Sequence, residues 1–167
     1  MKTDPLAAAL IAAALAGPAL AHDYALGGLT IDHPFAFATA PNAPVAGGYL
    51  RVRNADDTDD VLLEARTDPD FAGMVQLHEM SMADGVMRMT ELAGGIPIPA
   101  GETVTLEQGG LHVMFLRLPA GLEEGQEIPA TLVFERAGEV EVVFTVEPRG
   151  GAAGHGEGHG HGTEPSN

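Results

Sequence analysis

No cysteine occurs among the 167 residues. That absence excludes disulfides, thiolate metal sites, thiol nucleophiles and a lipid anchor on an N-terminal cysteine. Tryptophan is missing too, and aromatic residues make up only 5% of the chain. Positive charge is scarce: 8 basic residues stand against 24 acidic ones, a net charge of −16. Such a surface repels phosphate backbones and anionic lipid, which argues against nucleic-acid and membrane-surface binding. No nucleophile–base constellation, phosphate loop or carboxylate pair stands out to support hydrolytic catalysis. No segment after residue 22 shows a long helical period.

What remains is a chain with 45% hydrophobic residues, long enough for one domain and its core. Its 22 glycines and 12 prolines, about one residue in five, favour a turn-rich β fold. Residues 1–21 read as a secretory signal peptide. The apolar stretch Leu6–Ala16 is too short to span a bilayer comfortably, and Ala19-Leu20-Ala21 is a small-x-small cleavage signature. The mature chain then begins at His22, in an oxidising compartment. Without cysteine, soft-metal chemistry there must use methionine and histidine.

Alternating apolar and polar runs predict strands at Leu29–Ile31, Gly48–Arg53, Val61–Arg66, Val75–Met82, Val86–Leu92, Thr103–Leu106, Leu111–Leu118, Ala130–Phe134 and Glu139–Val146. Turn signals separate them. The spacing predicts an all-β sandwich or barrel with Greek-key-like links, over residues 22–149. Residues 150–167 are Gly-rich, contain His155, His159 and His161, and carry no apolar side chain larger than alanine. They are expected to form a disordered tail.

Six of the seven methionines fall between Met74 and Met114. Within His78-Glu79-Met80-Ser81-Met82 and Val86-Met87-Arg88-Met89, the intervening Asp84-Gly85 is a strong hairpin signal. With those two residues at the centre of the turn, Met82 pairs with Met87 and Met80 with Met89. Alternation then sets His78, Met80, Met82, Met87 and Met89 on one face, and Glu79 on the other. His112 and Met114, two apart, also share a face, with Val113 and Phe115 opposite. Taken singly, each methionine reads as core filler and each histidine as an edge residue. As a set they suit a soft cation. Thioether sulfur is polarizable and uncharged, a partner for Cu(I) and a poor one for Zn²⁺, Mg²⁺ or Ca²⁺. Lacking a thiolate, such a site is not an intensely blue electron-transfer centre.

The segment His78–Met114 resembles the periplasmic copper chaperones called PCu(A)C proteins. The match rests on His78, ten residues, Met89, twenty-two residues, then His112-x-Met114. Gly85-Val86-Met87-Arg88-Met89, Ile98-Pro99-Ala100-Gly101 and Gly109-Gly110-Leu111-His112-Val113-Met114-Phe115 support it, as do Pro44–Tyr49 and Phe134–Gly138. The resemblance implies a cupredoxin-like β-barrel and a non-enzymatic, monomeric Cu(I) carrier. Its implied ligands are His78, Met89, His112 and Met114. It also implies delivery to the Cu(A) centre of cytochrome c oxidase during assembly, alongside a Sco-type copper protein. One departure is Phe35-Ala36-Phe37, where related sequences commonly place an aromatic followed by Ala-Arg.

The remaining candidates are weaker. His155, His159 and His161, with His22, form a candidate secondary Cu(II) site. A mature N-terminal His22 also leaves open a copper-dependent oxidase or oxygenase, and copper sequestration for tolerance is a further alternative. His33 reads as structural. The acidic run Asp56–Asp60 lacks the Gly and distal Glu of an EF-hand loop and is expected to be a solvated turn.

Overall fold

A computed structural model describes residues 23–149. The signal-peptide reading of residues 1–21, His22, and the tail with His155, His159 and His161 lie outside the described residues. Eleven strands run in chain order: β1 (Tyr24–Leu26), β2 (Leu29–Phe37), β3 (Val45–Asn54), β4 (Asp60–Thr67), β5 (Met74–Ala83), β6 (Val86–Glu91), β7 (Ile96–Ile98), β8 (Thr103–Leu106), β9 (Leu111–Leu116), β10 (Glu127–Phe134) and β11 (Gly138–Glu147). No helix appears among the described residues. The all-β, cupredoxin-like barrel expected from the sequence is the fold observed.

Hydrogen bonding follows the order β6-β5-β9-β3-β2-β11-β10-β4-β7, with β1 attached to β2 and β8 to β3. Only β2 and β11 pair in parallel. The sheet curls until β4 packs against β5, enclosing one core. The longer strands β2, β3, β4, β10 and β11 contribute largely alternate residues to it, as pleating requires, whereas β6 is exposed along its length. Ile31, Val52, Leu62, Val113, Phe115, Ile128, Leu132 and Phe144 are almost wholly buried. Each such side chain contributes about 1.5–3 kcal/mol through the apolar area it hides. Phe71, Phe115 and Phe144 stack edge to face, with centroids 5.9 and 5.6 Å apart. Gly48 lets β3 pass close over this stack: a Cβ there would lie 2.8 Å from Phe115 and 3.0 Å from Phe144. The β3–β9 seam carrying the site therefore rests directly on the aromatic core.

Two short strands and the reach of β2 go beyond the sequence pattern, and proline explains two of these three differences. β7 is Ile96-Pro97-Ile98, which pairs only with β4 and so tolerates a residue with no N–H. β2 continues through Pro34 because the chain bulges there. The register against β3 shifts between Asp32 and Phe35, and His33 takes φ 49°. His33 is exposed at the bulge, and its Nε2 lies 3.0 Å from Glu147 Oε1.

The acidic run needs correction. Asp56 and Asp57 are exposed, but Asp60 is only 5% accessible. Its carboxylate accepts N–H bonds from Val61 (2.7 Å), Arg136 (2.9 Å) and Ala137 (3.0 Å), tying β4 to the β10–β11 turn. Asp59 accepts from the Ala100 amide at 2.9 Å. These carboxylates are built into the fold because loop amides without a strand partner need acceptors.

Candidate metal centre

The hairpin of β5 and β6 turns on Asp84 (φ 53°) and Gly85 (φ 77°), the paired left-handed residues of a type I′ turn. The turn fixes the register: Met82 stands opposite Met87, Met80 opposite Met89, and His78 opposite Glu91. The other edge of β5 pairs with β9, setting His78 against His112 and Gln76 against Met114. β3 follows, with Gly47 opposite Met114. The side chains of His78, Met80, Met89, His112 and Met114 thus share the outer face of a three-stranded platform. Leu77, Val113 and Phe115 on the reverse face are buried.

Met80, Met89, His112 and Met114 line one open cavity of about 200 Å³, together with Gly47, Tyr49, Gln108 and Arg149. His78 adjoins it, its ring centroid 5.8 Å from that of His112. The two imidazoles are set for ligation by their hydrogen bonds. His112 Nδ1 lies 3.0 Å from the Gly110 carbonyl, which can only accept, so the proton sits on Nδ1 and Nε2 keeps its lone pair. The same carbonyl accepts the Met80 amide at 3.0 Å, so one peptide group orients the His112 ring and pins β5 to it. His78 Nε2 lies 3.0 Å from Gln76 Oε1 and donates to it, leaving the lone pair on Nδ1. That Nδ1 is buried and has no hydrogen-bond partner. A buried nitrogen without a partner costs free energy, and a metal ion would satisfy it.

The donor set is neutral and half soft. No group of three or more His, Asp or Glu able to hold an ion exists among the described residues. Two neutral imidazoles without a carboxylate are a poor set for a hard dication, and the thioethers beside them suit a soft cation. Arg149 adds positive charge at the mouth, where it pulls the Tyr49 phenol down against the larger upward effect of burial. Phe35 and Phe37, the departure noted in the sequence, stack on Tyr49 at 5.3 and 5.7 Å and so support one wall of the cavity.

Burial, then the neighbouring His112, hold the pKa of His78 below its ordinary 6.5, against a smaller upward pull from Glu91. The folded chain therefore takes up this proton at lower pH than the unfolded chain. Above about pH 6.5 neither state binds it and stability is unaffected; below, the unfolded state binds it first and stability falls. The apo protein should lose thermal stability on acidification below pH 6.5, and His78→Gln should remove part of that loss. Superimposable melting profiles for the two proteins would contradict this account of His78.

Of the four residues the resemblance names, Met89, His112 and Met114 line this cavity and His78 stands beside His112. Sequence pattern placed Met80 on the face that lines the cavity, though the resemblance does not name it. Gln76 could have been found by the same alternation, two residues before His78. Arg149 carried no local signal, since only the parallel β2–β11 pairing brings the end of β11 to this rim.

Residues 29–146 match the model of the family described as LpqE-like. The protein named "Putative lipoprotein Lxx21020", from Leifsonia xyli subsp. xyli, is 32% identical over 117 residues, covering 70% of this chain and 69% of that protein. Among solved structures, the copper-bound PCuAC domain from PmoF2 is 31% identical, with a TM-score of 0.64, over 77% of this chain and 99% of that one. The Cu(I) form of DR1885 from Deinococcus radiodurans is 26% identical, with a TM-score of 0.54, over 77% and 83% of the two chains.

Proposed function

Because the chain belongs to the LpqE-like family of PCu(A)C-type domains, we propose that it is an exported carrier of Cu(I). Cu(I) is its cargo, held by His78, Met89, His112 and Met114, with Met80 close enough to exchange into the set. The observation that carries this reading is the pair of imidazoles, each presenting a bare nitrogen, beside the thioethers of Met80, Met89 and Met114 at one open cavity.

The arrangement suits transfer better than storage. Neutral ligands leave a loaded site with a single positive charge and no strong ionic grip. Met89 is 46% exposed, so an acceptor's sulfur or nitrogen can reach the ion before the old bonds are gone. The strongly acidic chain favours encounter with a basic partner patch, at a rate that falls as salt rises. The acceptor we propose is the Cu(A)-bearing subunit of cytochrome c oxidase, reached with a Sco-type protein. The setting we propose is the periplasm. None of these 167 residues is a cysteine that could carry lipid, and no helix of the described residues is long and apolar enough to cross a membrane. The chain acts as a carrier and not as an enzyme. His155, His159 and His161, with His22, are proposed as a secondary Cu(II) site.

X-ray absorption at the copper edge, after anaerobic Cu(I) loading and desalting, tests both sites. The full chain and a chain ending at Arg149 should each retain one Cu(I) in a shell of mixed sulfur and nitrogen. Only the full chain should take up additional Cu(II). An all-nitrogen Cu(I) shell would sink the main site, and equal Cu(II) uptake by both chains would sink the second.

A further inference from the structure

The hairpin carries more thioether than the cavity uses. Met82 and Met87 stand directly opposite one another, one rung beyond Met80 and Met89 toward the turn. They are 67% and 60% exposed, the most exposed large apolar side chains described. Core packing does not account for them, because all of β6 is exposed and its only partner is β5. The reverse face of these rungs holds Ser81 with Arg88 and Ala83 with Val86, and no sulfur. All four hairpin methionines therefore lie on the face that leads into the cavity.

We infer that Met82 and Met87 form an outer thioether pair that takes up Cu(I) ahead of the His/Met cavity and passes it inward; this rests on the copper reading above. Directly opposed residues on paired strands have Cβ atoms roughly 5 Å apart, and each methionine has three rotatable bonds beyond. The two sulfurs can close on one ion from opposite strands. Two thioethers give only a weak site, which suits uptake and release. The next rung lies about 7 Å further in, two residues along the strand. At that spacing a flexible thioether of Met80 or Met89 can engage the ion while the outer pair still holds it. The ion then moves by ligand exchange, with no change of oxidation state and no proton to place. The I′ turn matters here, because a slip of one residue would send Met82 and Met87 to opposite faces.

Silver nitrate supplies Ag(I), a redox-inert soft monocation, as the probe. In the full chain labelled at the methionine methyl carbons, the first equivalent should shift Met89 and Met114. Further Ag(I) should shift Met82 and Met87. The double variant Met82→Leu with Met87→Leu keeps the apolar volume of exposed positions and should keep the first-equivalent affinity. Its uptake of Cu(I) from a bicinchoninate complex should slow about tenfold, the effect of a barrier raised by roughly 1.4 kcal/mol. Silent Met82 and Met87 methyls, or an unchanged uptake rate, would overturn the inference while the Met89 and Met114 shifts still upheld the cavity. Absence of those first shifts would count against the copper reading itself.

Discussion

Leucine at both Met89 and Met114 is expected to weaken Cu(I) binding roughly a thousandfold with the fold intact. Loss of a group that merely supports a ligand commonly costs 10–100-fold in metal affinity, so two lost ligands should cost at least about that much each. Leucine conserves volume, and such swaps usually cost under about 1.5 kcal/mol of stability. Met89 is half exposed and Met114 only partly buried, so neither anchors the core. The single Met89→Leu change should cost less than its share, because Met80 faces the same cavity from the opposite strand. Adding Met80→Leu to the single variant should then expose the full loss. The measurement is an anaerobic competition titration against a Cu(I)-chelating dye, with circular dichroism to confirm the fold. Equal affinity in the double variant and the parent would remove thioether ligation from the account.

The second large effect is on stability, at Asp60. Alanine there removes a carboxylate that accepts from three backbone N–H groups, those of Val61, Arg136 and Ala137. A buried donor left without a partner costs about 1–3 kcal/mol, so Asp60→Ala should cost roughly 3 kcal/mol or more. In a domain of this size that corresponds to a fall in Tm of about 10 °C. Asp60→Asn should retain part of the loss, since one oxygen remains to accept. Cu(I) affinity at temperatures where the variant is folded should be unchanged, because Asp60 serves the β4 and β10–β11 end and lines no part of the His/Met cavity. A melting point equal to the parent's would show that solvent replaces these bonds at no cost.

The sequence legibly carried those parts of the structure that depend on neighbours along the chain. The hairpin could be read because Asp84-Gly85 admits two consecutive left-handed residues and strict alternation flanks it. His112 and Met114 share a face for the same local reason. Tyr24–Leu26 was too short to stand out, and prolines at 34 and 97 hid strand from pattern because a bulge and an edge position absorb them. The meeting of His78 with His112 is a different matter. It depends on β5 pairing with β9 across an intervening hairpin and two short strands, and no local rule sets that choice. The proposed ligand set rests on the spacing shared with PCu(A)C proteins. Asp60 was misread because composition suggests solvent, whereas its environment is set by a turn more than seventy residues away. Arg149 was invisible for the same reason.

The Gly110 carbonyl that holds His112 and the Met80 amide has a wider consequence. The rotational freedom of a ligand ring is surrendered when the protein folds, long before any ion arrives. Empty and loaded forms should then superimpose, and nothing in the backbone has to spring open to let cargo go. If the chain carries Cu(I) as proposed, transfer through a site built this way would run on relative affinity, with no hinge or refolding needed.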